Sequence, residues 1–127
     1  MIPEMSKPVH NVDTHFHVFR SGESRPGARY VPAYDAPLST WQAAALPEGV
    51  TRGVLVQTSF MGTDNSLLLA TLARHPDSLR GVAVLGPGVD LATLLPLHQA
   101  GVRGIRLNLA GQSHDMQLWS QIGRAHV

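Results

Sequence analysis

The sequence predicts an α/β protein of about four β/α units, the N-terminal half of a (β/α)8 TIM barrel. Three observations predict it. Short apolar runs alternate with segments of helical character, the pattern of βαβ units on a parallel sheet. Those runs are nearly continuous, as in strands covered on both faces. The first run ends in His15-Phe16-His17, where an open nucleotide-binding sheet would carry a glycine-rich turn. A barrel places its reactive side chains at the C-terminal ends of its strands. Eight strands and typically about 250 residues make a complete barrel, so four units in 127 residues amount to half of one.

Val9 to Thr14 is expected to be the first strand, followed by a long loop from Arg20 to Pro37 that is rich in Gly, Pro, Ser and Arg. Ser39 or Thr40 should cap a helix through Trp41 and Ala45, which Pro47 and Gly49 end. Thr51 to Thr58 supplies the second strand around Val54-Leu55-Val56, and Thr63 or Asp64 caps a helix running to about Arg74. Gly81 to Leu85 is the third strand. Asp90 caps the next helix, Leu91 to Ala100, with Gly101 as its stop. Val102 to Leu109 forms the fourth strand, and Asp115 begins a fourth helix.

A net charge of +1 supplies no basic patch, so neither nucleic acid nor an acidic membrane surface is an expected partner. The absence of cysteine excludes disulfides and thiolate metal ligands. No stretch approaches the roughly 20 apolar residues of a membrane span, and Met1 to Pro8 does not read as a signal peptide. A cytoplasmic location is the expectation. Ile122-Gly123-Arg124-Ala125-His126-Val127 is what a common sequencing-library adapter encodes in one frame. Residues 1–121 are therefore expected to be the partial barrel and 122–127 a non-native tail.

His15 and His17 carry the sharpest chemical signal. Residues two apart on a strand share a side, so both imidazoles can aim at one point. Such a pair suits a divalent metal such as zinc, or can polarise a carbonyl with no metal bound. Asp13 is expected to be a structural carboxylate behind them. His75 and His98 fall near helix C-termini, where positive charge is welcome. His10 reads as structural and His114 as a loop residue on the active-site side.

Asp13-Thr14-His15-Phe16-His17 resembles the first-strand motif of the amidohydrolase superfamily. Val54-Leu55-Val56-Gln57-Thr58-Ser59, Gly62-Thr63-Asp64-Asn65 and Ala100 to Asn108 resemble its branch of 2-pyrone-4,6-dicarboxylate lactonase-like hydrolases, in the same order along the chain. The resemblance implies a hydrolase that opens a lactone or related ester-like bond in a carboxylated small molecule. It also implies that Arg106, Ser59 and Tyr30 contact the substrate. A guanidinium meets a carboxylate with two parallel hydrogen bonds and a hydroxyl adds a third. Arg103, three residues from Arg106, should face the other side.

Two departures from the resemblance stand out. Ala110 to His114 lacks a second arginine, which suits a substrate with one carboxylate or a differently placed one. Asn108 stands where binuclear members bring a lysine or an acid, so a bridged two-metal centre is not expected and the metal-free mode is preferred. The alternatives are a zinc-dependent decarboxylase of the same superfamily and a catalytically inert half-barrel that self-associates through its open sheet edges.

Overall fold

The computed structural model of the chain describes residues 11–109. Its four strands, β1 (Asn11–Phe16), β2 (Val50–Val56), β3 (Leu79–Val84) and β4 (Val102–Arg106), are all parallel and lie in chain order. Helices α1 (Leu38–Ala45), α2 (Ser66–Arg74) and α3 (Leu91–Gln99) make the crossovers. Unreversed strand order is the arrangement of a barrel arc; a doubly wound sheet reverses at its switch point.

The three helices share one face of the sheet. Phe16, Leu55, Leu79, Ala83 and Val102 from the four strands form a single buried cluster with Leu68 and Leu72 of α2 and Leu94 of α3, and Leu38 and Trp41 of α1 pack against it. Gly53 lets α1 approach β2. A Cβ there would stand 2.6 Å from Phe16 Cε1 and 2.9 Å from Trp41 Cζ2. Gly53→Val is therefore expected to cost about 1–3 kcal/mol through overpacking, measured as a lower denaturation midpoint. An unchanged midpoint would show that the Phe16–Trp41 stack yields freely.

The helix ends correct several boundaries. Pro37, with extended backbone, precedes the first residue of α1, and neither Ser39 nor Thr40 caps it. A φ already set by the pyrrolidine ring suits a chain about to enter a helix. A 3-10 turn, Leu46–Glu48, carries Pro47 beyond α1 and closes on Gly49 at φ 72°. Asn65 occupies the position before α2, while the Asp64 carboxylate just upstream accepts from the Ser66 amide and hydroxyl. Asp90 caps α3 as expected, taking the Thr93 amide at 2.9 Å. β3 begins two residues earlier than the apolar run, at Leu79, and β4 ends at Arg106, so Asn108 lies past the strand. The fourth helix expected from Asp115, the tail 122–127, His10 and His114 lie outside the described residues.

The long loop after β1 is tied down at both its neck and its middle. Phe19 and Ala36 exchange backbone hydrogen bonds at 3.0 and 2.9 Å, and the Arg25 amide donates to the Phe60 carbonyl at 2.7 Å. Phe19, Phe60 and Met61 form a second buried cluster beneath it. The loop is thereby laid over the connection that leaves β2. Among the described residues no helix is long and apolar enough to cross a membrane.

Candidate active site

A bulge in β1 aims the two histidines. Asp13 pairs with Gly53 and Phe16 with Leu55, so three steps along β1 face two along β2. One extra residue on a strand re-aims the side chains that follow it. Asp13 and Phe16 consequently both face the helices. Phe16 stacks on Trp41 with centroids 4.1 Å apart, and Trp41 Nε1 donates to Asp13 Oδ2 at 2.9 Å. Asp13 Oδ1 accepts the backbone amide of His15 at 3.0 Å, giving a partner to an N–H in the bulge. His15 and His17 emerge together, their rings edge to face with centroids 5.0 Å apart. Asp13 is thus the brace under the pair, in keeping with a structural carboxylate.

The tautomer of His17 follows from its partner. His17 Nδ1 lies 2.7 Å from the Val56 carbonyl oxygen, which only accepts, so Nδ1 carries the hydrogen and neutral Nε2 the lone pair. Burial lowers the His17 pKa from 6.5; the Val56 carbonyl acts against this, while the charges of His15 and Arg106 add to the lowering. On balance the surroundings favour the neutral ring.

Arg106 reaches from β4 to the residue just after β2, where its guanidinium donates to the Gln57 carbonyl at 2.9 Å. His17 and Arg106 therefore hold consecutive carbonyls at the C-terminal end of β2. Arg103 turns outward and donates to the His98 carbonyl at 2.6 Å, as the strand period predicts.

Two buried amides hold the surrounding loops, and neither was assigned a role from the sequence. Gln57, 3% exposed, donates through Nε2 to the carbonyls of Gly62 and Asp64 at 3.2 and 2.7 Å. Asn65 donates to the Val84 carbonyl at 2.9 Å and accepts the Val84 amide at 3.2 Å. The signal for Gln57 was an amide directly following the apolar run Val54-Leu55-Val56. A polar group at such a position is expected to be hydrogen-bonded.

Ser59 and Tyr30 belong to the loop layer above β2. Ser59 is exposed and opens the 3-10 turn Ser59–Met61. Tyr30, 54% exposed, meets Phe60 edge to face at 5.8 Å, and a hydrogen bond with Tyr34 raises its pKa above 10.0. The structure brings His15, His17 and Arg106 together. Among the described residues it does not join Ser59 or Tyr30 to them by a hydrogen bond or ring contact.

His15 and His17 are the ligands this region offers a metal; among the described residues no group of three or more His, Cys, Asp or Glu side chains is placed to hold one. The pair fits part of a zinc site, because the His17 lone pair is free and the carbonyl bond on the other nitrogen is the usual support of a ligating imidazole.

A family model described as amidohydrolase matches residues 12–118. The chain is 36% identical over 116 residues to a 2-pyrone-4,6-dicarboxylate hydrolase of Comamonas testosteroni, covering 89% of this chain and 38% of that protein. It is 31% identical over 102 residues to a 4-sulfomuconolactone hydrolase of Hydrogenophaga intermedia, covering 78% and 33%. Its fold matches a crystal structure of a probable 2-pyrone-4,6-dicarboxylic acid hydrolase from Acinetobacter baumannii with citric acid bound, at TM-score 0.86 and 35% identity. That match covers 92% of this chain and 45% of the other. The chain spans between a third and just under half of the length of these proteins, in keeping with four strands of an eight-stranded barrel.

Proposed function

The chain belongs to the amidohydrolase family, and from that membership we propose that the whole protein is a hydrolase opening a lactone ring in a carboxylated small molecule. The observation that carries this reading is the grip of His17 and Arg106 on consecutive carbonyls, Val56 and Gln57. It supports a reading in which a cation takes the acid group close to the imidazoles. Water adds to the lactone carbonyl carbon, the ring C–O bond breaks, and the released oxygen takes a proton. Arg106 would orient the ring through its carboxylate, with Ser59 and Tyr30 as hydroxyl contacts. The names of relatives that act on a dicarboxylated pyrone and a sulfonated muconolactone support an anionic lactone as the substrate class.

The His17 tautomer bears on how the pair acts. A neutral ring whose Nδ1–H is spent on Val56 offers a lone pair at Nε2, not a donor for a carbonyl oxygen. His17 is accordingly suited to accept a proton or to ligate a metal, and His15 is the ring left free to donate. A metal-holding mode would use that His17 lone pair, and a metal-free mode the His15 donor. His15 and His17 would hold the ion, which supplies Lewis-acid polarisation of the carbonyl when bound.

The test is an assay of the whole protein on 2-pyrone-4,6-dicarboxylate and on an uncharged pyrone of similar size. Ring opening of the acid at least about tenfold faster is expected from one charge-assisted contact. Equal rates on both would remove the acid-group role. Carbon dioxide release would indicate the decarboxylase, and no turnover of either the inert half-barrel reading.

A further inference from the structure

We propose that the Thr58 hydroxyl is a direct hydrogen-bond contact to the substrate's acid group, standing between Arg106 and Ser59. The inference rests on the carboxylated-lactone reading above. Thr58 is 2% exposed, and its Oγ1 is buried with no hydrogen-bond partner. A buried hydroxyl left unpaired is costly, and such a group in a native fold calls for an explanation. The backbone gives no reason for threonine here, being extended at φ −73° and ψ 152°, a conformation any residue adopts.

Alternation along β2 indicates which way the hydroxyl faces. Leu55 belongs to the helix-side core, and the Gln57 side chain reaches the carbonyls of Gly62 and Asp64 ahead of α2. The strand ladder runs on past Val56, because the Gln57 amide still donates to Val82 at 2.9 Å. With period two, Thr58 then falls on the face opposite Gln57, the face that carries the histidine pair. Its neighbours in sequence are a residue whose carbonyl holds Arg106 and the serine expected to touch substrate. The other unpaired buried hydroxyl among the described residues, Ser24 Oγ, lines an outer groove with Glu23, Met61 and Asp64. Thr58 is the one on the C-terminal end of a strand, where barrel sites form.

The experiment uses the whole protein with Thr58→Val and Thr58→Ser. The readouts are melting temperature, calorimetric binding of benzene-1,3-dicarboxylate as a stable planar diacid, and kcat/KM on carboxylated and uncharged pyrones. Thr58→Val should melt no lower than wild type, because valine removes an unpaired hydroxyl at nearly constant shape. It should bind the diacid about tenfold more weakly and raise KM for the carboxylated pyrone, with the uncharged pyrone unaffected. Thr58→Ser should restore most of the binding. Wild-type diacid binding in Thr58→Val would overturn the contact while leaving Arg106 and the lactone reading intact. A lower melting temperature in Thr58→Val would also overturn it, by showing that the fold itself uses the hydroxyl. If wild type neither binds the diacid nor opens the carboxylated pyrone, the lactone reading fails and takes this contact with it.

Discussion

His17→Ala in the whole protein is expected to lower kcat/KM on a carboxylated pyrone by about 10³-fold or more. The substitution removes the Nε2 lone pair beside His15 and also the 2.7 Å contact with the Val56 carbonyl. His15→Ala should lose activity on a similar scale while leaving the His17–Val56 bond in place, so the two variants separate loss of chemistry from loss of a local brace. Both should keep affinity for a non-reacting diacid, because Arg106 is held by Gln57 and not by either imidazole. Should both variants keep activity within about tenfold of wild type, the pair is not the reacting centre. Metal content sharpens the result. If the whole protein carries zinc, both variants should lose it, and chelation of wild type should reproduce their defect.

Arg106→Met should cost about 1.5–3 kcal/mol in transition-state binding of carboxylated substrates, roughly 10- to 150-fold in kcat/KM. Uncharged pyrones should be affected far less. The comparison matters because Arg106 also donates to the Gln57 carbonyl, so a purely structural arginine would lower both substrates alike. Arg106→Lys keeps the charge but loses the planar fork. It should recover part of the binding if the acid group is the partner.

The order of the elements was legible in the sequence, as were the helix cap at Asp90, the stop at Gly101 and the opposite facing of Arg103 and Arg106. Each of these depends on residues a few positions apart, and local periodicity and capping chemistry reach that far. The pairing of His15 with His17 was legible for the same reason, although the simple strand period would also have placed Asp13 on their side. It is the extra residue between Asp13 and Phe16 in the register with β2 that separates them.

What the sequence by itself determined is which chemical groups the protein brings to the ends of its strands: two imidazoles from the first, an amide and two hydroxyls from the second, a guanidinium from the fourth. Tertiary structure alone decided what each is bonded to. The His17 tautomer depends on a carbonyl 39 residues away, and the seat of Arg106 on one 49 residues away. Which backbone oxygen lies opposite a side chain is a matter of strand register, set by the packing of Phe16, Gly53 and Trp41 and by the bulge in β1. No period of two or 3.6 residues within one segment encodes a distance between segments.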